Sequence, residues 1–145
     1  MLGTMKPRPA RLLGTTSLLL VDGVGAILSA IGVGLVLPAF QPWFGIPTLV
    51  LRVLGGVALC FAAFSLGRYL TGTGTPASLR RIARANLAYA VVTAATLVAY
   101  ASTVTLIAIS YFVGEMVILV VLSSHELRLA RRLARSRAFE HGAVG

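Results

Sequence analysis

The sequence predicts an all-α fold: a transmembrane four-helix bundle of antiparallel, up-down helices with both termini in the cytoplasm. Three observations carry this expectation. Hydrophobic residues make up 57% of the 145-residue chain and charged residues only 12%, about half the charged share of an ordinary soluble domain. Four apolar stretches each approach the roughly 20 residues that a helix needs to cross a hydrocarbon core about 30 Å thick. Basic residues gather at alternate gaps between those stretches. A chain of this length forms one domain, 1–145, and its main solvent is expected to be lipid.

The first stretch, 15–37, follows Lys6, Arg8 and Arg11. It is read as a retained span and not a cleaved signal, because its apolar run exceeds a usual signal core and Asp22 interrupts it. The gap "PAFQPWFGIP" stops the helix with Pro38, Pro42 and Pro47. Phe40, Trp43 and Phe44 in that gap suit an interfacial aromatic belt. The second stretch, 48–70, ends at "TGTGTPASLRR", a set of turn formers followed by a basic helix start. The third, 83–101, is followed by so short a gap that the fourth, 105–124, must be its antiparallel neighbour. Beyond it lies a basic tail, 125–145, with Leu122, Leu129 and Leu133 near helical spacing. Arg128, Arg131, Arg132 and Arg135 of this tail are expected to contact anionic lipid head groups.

Of the 13 Lys and Arg residues, only Arg52 falls on the side opposite the termini and the second gap. The positive-inside rule then places both termini in the cytoplasm. The net charge of +9 does not point to nucleic acid, because the basic residues cap apolar runs, where anionic lipid is the available partner. A single cysteine, Cys60, excludes an internal disulfide. His125 and His141 lie at or beyond the end of the last apolar run, so no ligand cluster for a metal or haem is expected. No nucleophile–base pair stands out. The sequence therefore predicts no catalytic residues, no metal and no cofactor, and a protein that is not an enzyme.

In lipid, helices associate through small residues and polar contacts. Helical spacing groups Asp22, Gly25, Ser29 and Gly32 on helix one, and Arg52, Gly55 and Ala62 on helix two. It aligns Asn86, Tyr89, Thr93, Thr96 and Tyr100 as a polar stripe on helix three. On helix four it aligns Thr105, Ala108, Tyr111 and Glu115. A shift of 64 residues lays Asp22 on Asn86 and Ser29 on Thr93, a faint sign of a duplicated helical hairpin.

A charge at bilayer depth costs at least about 2.5–3.5 kcal/mol, so each ionisable residue there is a candidate site. Arg52 is close enough to a helix end to snorkel. Asp22 is expected to pair with Arg68 and clamp helices one and two, with Asn86 completing the arrangement. Arg68 and Arg52 face nearly opposite ways on helix two, so they cannot both reach one centre. Glu115 is the deepest, and it is expected to face the bundle interior beside Tyr111 and the helix-three stripe, with Arg52 a poor partner for it. The candidate polar site is Asp22, Asn86, Tyr89, Thr93, Tyr111 and Glu115.

The stretches "LLLVDGVGAILSAIGVGLVLPAFQPWFGIP" and "ISYFVGEMVILVVLSSHELRLARR" resemble small four-span bacterial integral membrane proteins of an uncharacterised family. The resemblance implies the bacterial cytoplasmic membrane and lends no activity. Two functional classes stand side by side, with a membrane enzyme third for want of a nucleophile–base pair or metal cluster. One is a structural or accessory membrane subunit, held by small-residue and polar helix contacts. The other is a small oligomeric transporter, channel or binder of a polar solute or proton that uses Glu115 and Asp22. The expected partners are a bilayer with anionic head groups and either further copies of the chain or another membrane protein.

Overall fold

Proline and glycine set the helix ends. The computed structural model describes the backbone of residues 9–142 and the side chains of residues 14–136. Lys6, Arg8, the side chains of Arg11, Arg137 and His141, and residues 143–145 lie outside that description. Helix α1 runs Pro9–Ile31 and continues through a π-helical turn, Gly32–Val36, into Leu37–Ala39. Pro38 has no N–H to donate and crowds the carbonyl one turn before it. The ladder slips by one residue there, and the Leu37 N–H reaches Gly32 O. A single helical turn, Gln41–Phe44, follows, and then α2, Thr48–Leu70. The last two helices are α3, Pro76–Ala99, and α4, Leu106–Gly142. All four long helices have the length and apolarity to cross a membrane, which makes the chain an all-α, multi-pass membrane protein.

α2 has the bounds that its apolar run predicts. α3 begins seven residues before the expected 83, because a capping box outside the apolar run starts it. Ser78 N–H donates to Thr75 Oγ1 at 3.1 Å, and Thr75 N–H donates to Ser78 Oγ at 2.7 Å, with Pro76 at the first helical position. α4 is one continuous helix of 37 residues, about 55 Å long at 1.5 Å per residue. The start of the basic tail therefore does not lie on a surface. Its Ala130 is fully buried against Leu19, Leu79 and Ile82 at the basic ends of α1 and α3. Arg128, Arg131, Arg132 and Arg135 stay exposed around it.

α1 packs chiefly on α2 and α3 chiefly on α4, while α2 and α3 touch only sparingly. The bundle is thus two tight hairpins held loosely side by side. Backbones meet in the first hairpin, where a Cβ on Gly34 would come within 3.3 Å of Gly55 Cα. Apolar side chains close the bundle at both ends. Leu19, Leu79, Ile82 and Ala130 do so at the basic end. Val33, Leu37, Ile46, Leu51, Leu54 and Phe112 do so toward the aromatic end.

The aromatic-end loop is tied to the α3–α4 turn by threonine hydroxyls of the turn that bond loop carbonyls. Thr103 Oγ1 donates to Gly45 O at 2.8 Å, and Thr105 Oγ1 donates to Trp43 O at 2.6 Å. Gly45 has φ of +71°, and a Cβ there would collide with the Thr103 carbonyl. Gly45→Ala meets both penalties and is expected to destabilise the protein by about 1–3 kcal/mol. Thermal unfolding in detergent measures this, and a midpoint equal to the parent's would refute the loop's clamping role.

Candidate functional site

The chain has four acidic residues, and three of them, Asp22, Glu115 and Glu126, lie within the candidate membrane spans. They form two polar layers between the apolar ends. In the layer nearer the basic end, Asp22 is 2% exposed. The Ser65 hydroxyl of α2 donates to its Oδ2, and the Asn86 side-chain amide of α3 donates to its Oδ1. One carboxylate thus joins three helices and both hairpins. Glu126 and Ser123 of α4 are fully buried beside this layer, and Glu126 is close enough to Asp22 to interact with it electrostatically.

The Asn86 contact is as expected, but the Asp22–Arg68 pair is not formed. Arg68 donates to Thr73 Oγ1 at 3.4 Å and lies over the Phe64 ring, 5.4 Å from its centroid. The reason is the rotation of α2. Its buried face is Leu51, Leu54, Gly55, Ala58, Ala62 and Ser65, as required by the Gly34–Gly55 contact, and this aims Ser65 at Asp22. The same rotation leaves Arg52 exposed, so it does not share the Gly55–Ala62 face; its exposure fits snorkelling.

In the deeper layer, both Glu115 oxygens are buried without a hydrogen-bond partner in the protein. Ser29 of α1 lies beside this carboxyl group without a hydrogen bond of normal geometry. Tyr89 and Tyr111 are within electrostatic range of it. The deep part of the helix-three stripe faces inward: Tyr89 and Thr93 are 5% and 1% exposed, and the two hydroxyls lie near one another without a hydrogen bond of normal geometry. Aromatic edges frame the layer, with Tyr89 packed on Phe61 and Tyr111 on Phe112 at ring distances of 6.1 and 5.2 Å. The structure therefore gathers Glu115, Tyr89, Thr93 and Tyr111 into one layer and Asp22 with Asn86 into the other.

Glu126, Ser65 and Ser123 are additional members that the sequence reading missed. Glu126 sits in "HELRLARR", where surrounding arginines make it look like a solvated charge. Its signal was its distance from Glu115. Eleven residues are three turns of helix, so both carboxyl groups share a face, about 16 Å apart along the axis.

A cleft of about 340 Å³ opens between α2 and α3 over the Asp22 layer. Phe61, Phe64, Ile82 and Ala85 wall it, Ser65 and Asn86 form its polar edge, and Arg81 stands at one end. Among the described residues, no three His, Cys, Asp or Glu side chains are placed to share a metal ion. No known protein family, characterised protein or solved structure matches the chain.

Proposed function

We propose that this membrane protein handles protons or a small cationic solute through a polar interior, with Glu115 as the central group and Asp22 and Glu126 as the second station. The observation that supports this most is the unmatched polarity of the bundle. Seven buried side-chain atoms, on Tyr89, Thr93, Glu115, Ser123 and Glu126, have no hydrogen bond of normal geometry within the protein. Leaving a buried polar group unmatched costs about 1–3 kcal/mol. Five such groups together rival the 5–15 kcal/mol that holds a whole domain together. A bundle that served only to hold its helices together gains nothing from them, which weighs against the purely structural subunit. A guest that hydrogen-bonds or carries positive charge matches them all. Acidic groups dominate both layers, so the guest is a proton or a cation.

The charge asymmetry of the chain supports an orientation with the basic end and both termini in the cytoplasm, and the resemblance to small four-span bacterial membrane proteins supports the bacterial cytoplasmic membrane. Arg128, Arg131, Arg132 and Arg135, all exposed, would then meet anionic head groups. Four helices enclose little space, so passage across the membrane would call for self-association of the chain.

Liposome flux tests the reading. Purified protein in vesicles with an imposed pH gradient should dissipate it faster than protein-free vesicles. Glu115→Gln keeps the shape of the side chain but cannot carry the proton, and should cut the rate by roughly a hundredfold, the lower range for loss of a positioned proton-transfer group. Glu126→Gln should also slow it. If the parent conducts neither protons nor small monovalent cations, or the Glu115→Gln vesicles match the parent, the proposal is wrong.

A further inference from the structure

We propose that the cleft between α2 and α3 is a specific site for an anionic glycerophospholipid, its phosphate held between Arg68 and Arg81 and one acyl chain lying in the cleft. This inference is independent of the proton-handling reading. The cleft exists because the two hairpins barely touch along α2 and α3, and it is open on the face that meets the bilayer, where Phe64 is 39% exposed. Its walls are Phe61, Phe64, Ile82 and Ala85, a surface for hydrocarbon and not for a polar solute.

Charge decides which amphiphile fits. Arg81 lines the cleft and is exposed. Arg68 lies against Phe64, a wall of the same cleft, and Thr73 takes one of its donors, so most of the five donors of that guanidinium point elsewhere. Arg68 ends α2 one turn beyond Ser65, and Arg81 precedes Asn86 by five residues, about 7.5 Å along α3. Both cations therefore sit at the basic end of the cleft, and Phe61 sits deeper, one turn past Ser65 in the opposite direction. An occupant needs a negative head at the basic end and an apolar chain running toward mid-membrane. Paired guanidinium groups bind phosphate oxygens through charge-assisted hydrogen bonds. A cationic amphiphile would put like charges together, so the anionic phospholipid is the matching class.

Native mass spectrometry of the detergent-purified chain, exchanged into equimolar phosphatidylglycerol and phosphatidylcholine, tests this. One phosphatidylglycerol per chain should survive activation that strips phosphatidylcholine. The Arg68→Gln/Arg81→Gln double variant should retain it about tenfold less, the consequence of losing a charged contact of at least about 1.5 kcal/mol. Ala85→Leu leaves both arginines in place and fills the cleft, and it should lower retention of phosphatidylglycerol as well. Far-UV circular dichroism confirms that each variant is folded. Equal retention of the two lipids, or unchanged retention in both variants, means annular lipid only and overturns the site.

Discussion

Replacing Asp22 with alanine is expected to unlock the two hairpins while leaving each of them helical. Asp22 is the acceptor for Ser65 in its own hairpin and for Asn86 in the other. Removing the carboxylate leaves two buried donors, on residues that are 0% and 2% exposed. Ser65 has an escape, since a serine hydroxyl in a helix can bond the carbonyl four residues back. Asn86 has none of that kind. An orphaned donor costs about 1–3 kcal/mol in a soluble core, while polar contacts between membrane helices average nearer 0.6 and reach about 1.7 kcal/mol. Two contacts, each between the average and the upper membrane value, give a loss of about 1–3 kcal/mol. Asp22→Asn retains a carbonyl for Asn86 and should lose about half as much. Unfolding in rising mole fractions of a denaturing detergent measures the stability. Spin labels at the basic ends of α1 and α3 measure the separation, which should broaden in Asp22→Ala with little change in helix content. An alanine variant as stable and as narrowly distributed as the parent would show that Asp22 is not the link.

Helix count and the two helix-one and helix-three partners were legible because lipid imposes simple rules. α2 was read to its end residues, since Pro47 and Thr71-Gly72 flank an apolar run with no polar extension. The start of α3 was hidden because its capping box lies outside the lipid-length run that marks a span. The faces of α1, α3 and α4 followed from spacing only in part: Asp22, Asn86, Tyr89, Thr93 and Ala108 are buried, but Gly25 meets no neighbour, and α1 approaches α2 through Gly23 and Gly34 instead. The error on α2 came from electrostatics. Charge complementarity favoured Arg68 for Asp22, but the approach of two glycine backbones set the rotation, and packing outweighed the ion pair. Glu126 was lost to the composition of its neighbours. The 64-residue repeat gains meaning from the fold. Its matched residues Asp22 and Asn86 bond to one another, which fits two similar hairpins facing each other across the bundle.

That glycine contact also sets the strongest mutational expectation. Glycine in a helix interior is intrinsically worse than alanine by about 0.8–1.0 kcal/mol, so propensity alone says that alanine at 55 or at 56 should stabilise α2. The surroundings separate these neighbours. A Cβ on Gly56 meets nothing within 4 Å, whereas a Cβ on Gly55 would strike the Gly34 backbone and come within 3.1 Å of Ala30 O. Both obstacles are main chain of α1, in and just before its π-helical turn, so no rotamer change relieves them. Overpacking commonly costs about 1–3 kcal/mol and sometimes more, which exceeds the propensity gain. Gly55→Ala is therefore expected to destabilise the first hairpin and Gly56→Ala to be neutral or slightly stabilising. Gly55→Leu should prevent the α1–α2 contact altogether. Because that contact aims Ser65 at Asp22, Gly55→Leu should also disrupt the polar layer about three turns away. Unfolding midpoints of the three variants in one detergent decide the matter: a Gly55→Ala midpoint at or above that of Gly56→Ala would mean that backbone contact does not set the rotation of α2.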